Sequence, residues 1–278
     1  MDVHTRSQNT IKKKVTIKGI GLHSGNSVKL NFIPAPPNTG IIFKRIDLED
    51  QPQIKAEVAN VTSTKRSTTI GIRDVKVKTI EHLMAALRAF DIDNILIEID
   101  SDELPALDGS AIKYVEVLRK AGLKSQDGNK DIIKIKNNLF IKSENTYLGI
   151  FPADKFKINY LLKYEHPKIG TEYLEYTFDK KSFIEEIMPA RTFGFAEEIE
   201  ELKRNGLALG GSLDNAILLK DDKVVNKLRF KDEFVRHKVL DLVGDLYLNG
   251  PIIGEIIAIR SGHKDNHKIN QIIKKRGT

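Results

Sequence analysis

The stretch TIEHLMAAL sets Glu81 beside His82 at the head of an apolar run. A second stretch, FVRHKVLDLVGDLY, carries His237, Asp241 and Asp245, each four residues from the next. On a helix such residues share one face, with Cβ atoms about 5–6 Å apart. His237 and Asp241 at that spacing can ligate one metal ion; they can equally form a hydrogen bond on a helix surface. An acid–imidazole–acid stripe among Val239, Leu240, Leu242, Val243 and Leu246 is costly to bury unless each polar group has a partner. His82 offers the third ligand. A set of His82, His237 and Asp241 leaves one position for water, the pattern of catalytic rather than structural zinc. A bound metal acidifies its water and polarises a carbonyl. Glu81, not needed as a ligand, then stands where a general base is required. The peptidase motifs do not fit: HExxH needs a second His four residues on, and HxxEH fails because position 78 is Lys.

Two further segments carry weaker signals. SGHKDNHK brings His263 into a loop at a helix start, either as an ordinary polar helix opener or as a proton donor whose ring Asp245 orients. PARTFGF places the Thr192 hydroxyl between an arginine and an apolar patch. Of the seven histidines (His4, His23, His82, His166, His237, His263 and His267), only His82, His237 and His263 have neighbours that point to chemistry.

These groups lie far apart in the chain, so the fold has to gather them. Alternating apolar residues predict strands around Val15–Ile20 and Val28–Phe32, and further strands at 41–46 and 53–60. Residues 62–76 read as a polar, hairpin-like excursion. A helix at 79–89, a strand at 93–99, the loop DGS at 108–110 and a helix at 110–121 complete a first unit. LKSQDGNKD at 123–131 is polar and rich in turn formers, and reads as a linker. The second half repeats the order: strands at 132–142, 146–151, 156–163 and 171–178, a helix at 232–247, a strand at 252–260, the loop SGH and a helix at 264–275. FGFAEEIEELKRNGLALGGSLDNAILL at 193–219 interrupts it, either as an ordinary βαβ excursion or as a lid or channel wall. The expected fold is therefore α+β: two similar two-layer sandwich domains, 1–124 and 131–278, each a sheet covered on one face by two helices. If a pseudo-dyad relates them, the helices carrying His82 and His237 meet at the interface, a common place for a ligand site.

Composition narrows the classes. Of 278 residues, 40% are hydrophobic and 30% charged, as in water-soluble globular chains. Cysteine is absent, which excludes disulfide frameworks and Cys-based metal or redox sites. The formal charge of +7 suits an anionic partner without choosing one. MDVHTRSQNTIKKK has no apolar h-region, so no signal peptide is expected, and no apolar stretch is long enough to span a bilayer. The cytoplasm is the expected location.

TIEHLMAAL, DGSA, PARTFGF, GGSLDNAI, FVRHKVLDLVGDLYL and SGHKDNHK, in this order and joined by GIGLHSG and LPALDGSA, closely resemble the UDP-3-O-acyl-N-acetylglucosamine deacetylase family, the zinc amidohydrolases of lipid A biosynthesis. The likeness runs from about Ile11 to Ile273. It implies two α+β sandwiches with the active site between them and a small insert in each: 62–76 in the first, and 193–219 in the second as a passage for the fatty acyl chain, with Leu202, Leu207, Ala208 and Leu209 as candidate lining. It implies one Zn2+ per chain on His82, His237 and Asp241, and Glu81 as the base. His263, held by Asp245, would be the proton donor, and Thr192 an oxyanion donor. Lys238 would lie near the sugar nucleotide and Phe193 near the glucosamine. Glu198 stands where many relatives have Asp. The implied substrate is a UDP-linked acylated glucosamine, acted on by a monomer with no nucleic-acid partner. Two rivals remain from the residues alone: a zinc amidase of other specificity, and an RNA-binding module, which would bind no stoichiometric metal and release RNA with salt.

Overall fold

The structure, a computed structural model, describes residues 5–276. His4 and the outermost residues of the two expected domains, 1–4 and 277–278, lie outside the described residues. Two sheets dominate. In the first, Val15–Ile20, Ser27–Pro34, Ile95–Ile99, Ile41–Arg45 and Gln53–Lys55 lie side by side in that order. In the second the order is Leu139–Lys142, Tyr147–Phe151, Ile252–Ile259, Phe156–Lys163 and Thr171–Thr177, and a sixth short strand, Ile133–Lys134, pairs in parallel with the start of Ile252–Ile259. In both, the last strand in the chain takes the middle place, antiparallel to one neighbour and parallel to the other. The middle strands are apolar and anchor matching rows: Phe32, Ile97 and Phe43 in one sheet, and Ile150, Ile256 and Ile158 in the other, all fully buried.

Among the described residues six α-helices accompany the sheets: α1 (Glu81–Ala89), α2 (Ile112–Ala121), the short α3 (Lys180–Ser182) running into a π-helical turn at Phe183–Ile187, α4 (Ala196–Arg204), α5 (Glu233–Leu246) and α6 (His263–Arg276). α1 packs along α5, with α2 beside the first and α6 beside the second. Every residue of α1 except Arg88 is buried. A helix that is apolar on nearly all sides belongs between layers rather than on a surface, and here it lies between its own sheet and the other half of the chain. The two helices touch where side chains are smallest. A Cβ added to Gly244 of α5 would sit 2.0 Å from the carbonyl oxygen of Glu81, so only glycine allows this approach.

Each half carries a small extra sheet. Val61–Ser63, Thr69–Ile72 and Val75–Val77 form an antiparallel three-stranded sheet. In the second half, Phe193–Phe195 pairs in parallel with Ile217–Lys220 across α4, and Lys223–Val224 turns back on it, so the excursion expected at 193–219 is a βαβ unit that opens on a strand.

Some elements differ from the sequence reading. Residues 123–131, read as a linker, form the strand Leu123–Asp131, antiparallel to Thr5–Ile11. This ribbon lies on the surface and is held by backbone pairing and amide side chains, such as Gln126 donating to the Ala35 carbonyl at 2.8 Å, so it shows no apolar alternation. The strand expected at 53–60 stops at Lys55, and a 3-10 turn follows at Val58–Asn60. That expected at 132–142 breaks into Ile133–Lys134 and Leu139–Lys142. Among the described residues no helix is long and apolar enough to cross a membrane.

Candidate active site

α1 and α5 deliver the central groups from opposite sides of the helix–helix contact. Nε2 of His82 and Nε2 of His237 each lie 3.5 Å from Oδ1 of Asp241, and one ligand atom from each of the three residues falls within 4.8 Å of the others. The imidazole rings meet edge to face, with centroids 5.0 Å apart. Nδ1 of His237 lies 3.1 Å from the Ala190 carbonyl. A carbonyl only accepts, so Nδ1 carries the proton and Nε2 offers its lone pair to the site.

Oδ1 of Asp241 is buried and has no hydrogen-bond partner among the described residues. A buried carboxylate oxygen left unpaired is costly, and this one faces two imidazole nitrogens. The His–His–Asp set is thus able to hold a metal ion, and its donors suit a divalent cation with nitrogen and oxygen ligands. The other oxygen, Oδ2, accepts from the Lys238 ammonium at 2.8 Å. Burial works against charge on Asp241, yet His237 and Lys238 hold its carboxyl well below the usual carboxylate range. Burial pushes His237 down to about 4, which keeps it neutral, as a ligand must be. Burial also opposes charge on His82, but the nearby carboxylates of Asp241 and Glu81 raise it.

Glu81 adjoins His82 and is buried at 3% exposure. Burial raises its pKa, against the pull of His263 and His82. Its Oε2 accepts from the backbone N–H of Thr68 at 2.9 Å. Facing it, His263 at the start of α6 donates from Nδ1 to Oδ2 of Asp245 at 2.8 Å, and its Nε2 lies 3.9 Å from Oδ2 of Asp241. Burial opposes charge on this ring, but the charge and hydrogen bond of Asp245 carry its pKa up to about 9. Asp245 is anchored in turn. Asn266 donates to the same Oδ2 at 2.9 Å, Thr68 Oγ1 donates to Oδ1 at 2.5 Å, and Asn270 donates to the Asp245 carbonyl at 2.7 Å.

A cavity of about 200 Å³ opens over these groups, lined by Glu81, His82, Thr192, His237, Asp241 and His263 among others. Thr192 is fixed by its backbone, donating to the Gly109 carbonyl and accepting from Ile217 N–H, both at 2.8 Å. Gly109, at φ +81°, belongs to the DGS loop; a Cβ there would sit 2.1 Å from the Asn215 carbonyl oxygen. Phe193 stands edge-on to Tyr164, Phe234 and His237 and walls the cavity. Lys238 also lines it, although its ammonium is tied to Asp241.

The cavity continues, through Leu22, His23, Arg66 and Phe193, into an apolar cavity of about 340 Å³. Leu202 and Ala208 line this second cavity together with Ile199 and Leu213. Leu207 and Leu209 do not. Leu207 N–H closes the end of α4 on the Leu202 carbonyl, and Leu209, 53% exposed, lies over the turn at His23–Gly25. Glu198 of α4 pairs at 2.9 Å with Arg66, which lies between the strands Val61–Ser63 and Thr69–Ile72, and both line the second cavity.

Several contributors carried no signal in the sequence. Thr68 sits in a polar run and is one hydroxyl residue among several. The carbonyl of Ala190 is backbone. Arg191 and Glu233 form a buried pair at 2.8 Å that holds the Pro189–Thr192 segment against α5. His23 was one lone histidine in a turn; its Nδ1 accepts weakly from Ala208 N–H at 3.4 Å.

The family model for UDP-3-O-acyl N-acetylglycosamine deacetylase matches residues 8–275. Proteins named UDP-3-O-acyl-N-acetylglucosamine deacetylase are similar along nearly the whole chain. One from Citrifermentans bemidjiense is 44% identical over 97% of this chain and 89% of its own length. One from Campylobacter hominis is 42% identical over 96% and 91%. One from Chromobacterium violaceum is 43% identical over 95% and 87%. With a match that spans both halves and every segment that feeds the cavity, the chain belongs to the UDP-3-O-acyl N-acetylglycosamine deacetylase family.

Proposed function

We propose that the protein hydrolyses the 2-acetamido group of UDP-3-O-(3-hydroxyacyl)-N-acetylglucosamine, releasing acetate and the free amine, the committed step of lipid A biosynthesis. The observation that carries this reading is the convergence of His82, His237 and Asp241 beside Glu81 and His263, at the head of an apolar cavity. His82, His237 and Asp241 would hold one Zn2+. Such an ion, when bound, supplies Lewis acidity to the amide carbonyl and to a water molecule. Glu81 takes the proton of the attacking water; its raised pKa brings it nearer to the working pH of a base. His263, cationic at neutral pH through Asp245, donates a proton to the leaving amine and stabilises negative charge on the oxygen. Thr192 adds a donor to that oxygen. Phe193 packs on the glucosamine, and Lys238 holds Asp241 while offering positive charge toward the sugar nucleotide. The acyl chain lies in the apolar cavity between Leu202 and Ala208.

The same reading takes residues 1–124 and 131–278 as two domains, supported by the matching order of five strands in their main sheets, and takes the protein to be a monomer in the cytoplasm, where its nucleotide-linked substrate is made. Assaying a UDP-linked acylated N-acetylglucosamine and acetylated peptides side by side tests the reading. Acetate release from the sugar nucleotide alone is expected; turnover of the peptides in its place would overturn it.

A further inference from the structure

Thr68 belongs to the polar run before the strand Thr69–Ile72, 2% exposed and thirteen residues ahead of Glu81. Its backbone is tied to the start of α1 in both directions: its N–H donates to Oε2 of Glu81 at 2.9 Å, and its carbonyl accepts from Ile80 N–H at 3.3 Å. Its hydroxyl points the other way, across the contact between the two halves. Oγ1 donates to Oδ1 of Asp245 at 2.5 Å and lies 3.4 Å from Nδ1 of His263. A hydroxyl has one proton to give, and an ionised carboxylate is the stronger acceptor, so that proton goes to Asp245. Oδ2 of Asp245 is already filled by His263 and Asn266. With Oδ1 held by Thr68, the carboxylate cannot rotate, and neither can the imidazole it carries.

We infer that Thr68 is a positioning residue of the reaction: its backbone aims the Glu81 carboxylate and its hydroxyl locks the Asp245–His263 pair, so that one residue just ahead of a strand of the small first-half sheet sets the base and the acid relative to each other. Held at Oε2, Glu81 keeps Oε1 for the water. Held at Nδ1, His263 keeps Nε2 for the leaving nitrogen. The two groups must face the same substrate amide within a few tenths of an ångström, although they come from different halves of the chain. This inference rests on the deacetylase reading.

Thr68→Val removes the hydroxyl with little change of shape; Thr68→Ser keeps it. In the metal-loaded protein, Thr68→Val is expected to lower kcat by about 10- to 100-fold with KM within about threefold of wild type, the size of effect seen when acid–base groups lose their aim. Thr68→Ser is expected to recover most of that loss. In an Asp245→Ala background the same Thr68→Val change is expected to cost less than about threefold, because its partner is gone. Wild-type kcat in Thr68→Val, an equal loss in Thr68→Ser, or an undiminished loss beside Asp245→Ala would overturn the inference. A readout independent of turnover is the downfield proton resonance of His263 Nδ1–H, expected to shift in Thr68→Val and to return in Thr68→Ser; a resonance indifferent to Thr68 contradicts the inference even if the protein deacetylates. Should Thr68→Val not fold, Thr68→Ala serves for the same comparisons. A wild type that releases no acetate overturns the deacetylase reading, whereas an active wild type with an indifferent Thr68 removes only the role of Thr68.

Discussion

At the scale of single residues, the site divides labour between neighbours. Glu81 and His82 are adjacent and both line the cavity, yet in the proposed reaction His82 helps to hold the cation and Glu81 acts as the base. Glu81→Ala is expected to retain one metal ion per chain and to lose roughly 10²- to 10⁴-fold in kcat, the range for a lost general base; metal analysis and turnover on the same sample check both halves of the statement. His237→Ala should do the opposite at the first step and lose the metal, because the remaining two ligands no longer close a site. The sequence made these residues legible because the spacing of His237, Asp241 and Asp245 and the pairing of Glu81 with His82 are local patterns. Thr68, the Ala190 carbonyl and the Arg191–Glu233 pair were not legible. Their contributions depend on which strand or helix passes beside them, and no spacing along the chain encodes that.

At the scale of elements, the α1–α5 contact is the part on which the geometry depends. Gly244 lets α5 lie against the Glu81 carbonyl. Gly244→Ala is expected to destabilise the protein by about 1–3 kcal/mol through overpacking and to weaken metal binding, since the same spacing brings His82 to Asp241; denaturant unfolding and a metal-competition titration measure the two effects. The N-terminal turn of α5 carries a pH-sensitive contact. Glu172 accepts from Val235 N–H at 2.8 Å, and burial, with Asp232 nearby, pushes its carboxyl up to about 7 despite that hydrogen bond. A folded pKa above the unfolded one favours the protonated form, so this contribution to stability is fully present below about 4.5 and is lost as pH rises toward 7. Glu172→Gln should flatten the stability curve across that window, as pH-dependent denaturant midpoints would show. The helices and central strands were readable from apolar periodicity. The ribbon of Thr5–Ile11 with Leu123–Asp131 was not, because a surface pair held by backbone bonds and amides has no apolar face to betray it.

At the scale of the whole molecule, two halves with the same strand order close on one another and make a site that neither contains. His82 and Glu81 come from one, and His237, Asp241 and His263 from the other. Further ties hold the halves together: Arg229 with Asp108 at 2.9 Å, the Tyr247 hydroxyl donating to the Ile92 carbonyl at 3.0 Å, and Arg88 over the Phe178 ring at 4.2 Å. The duplication was visible in the order of elements, and the meeting of the two helices followed from it. The direction of the apolar cavity did not, since Leu202 and Ala208 line it while Leu207 and Leu209, from the same run, turn away. With the acyl chain in that cavity, each methylene removed from the substrate should weaken binding by about 0.8 kcal/mol, roughly fourfold, and a series of acyl lengths would display the slope. The central claim is that residues of both halves hold one catalytic cation. It is tested most directly by measuring acetate release from the UDP-linked substrate before chelation, after chelation, and after titration with Zn2+. The account predicts that activity vanishes with the metal and returns in proportion up to one equivalent per chain; full activity in the metal-free protein would contradict it.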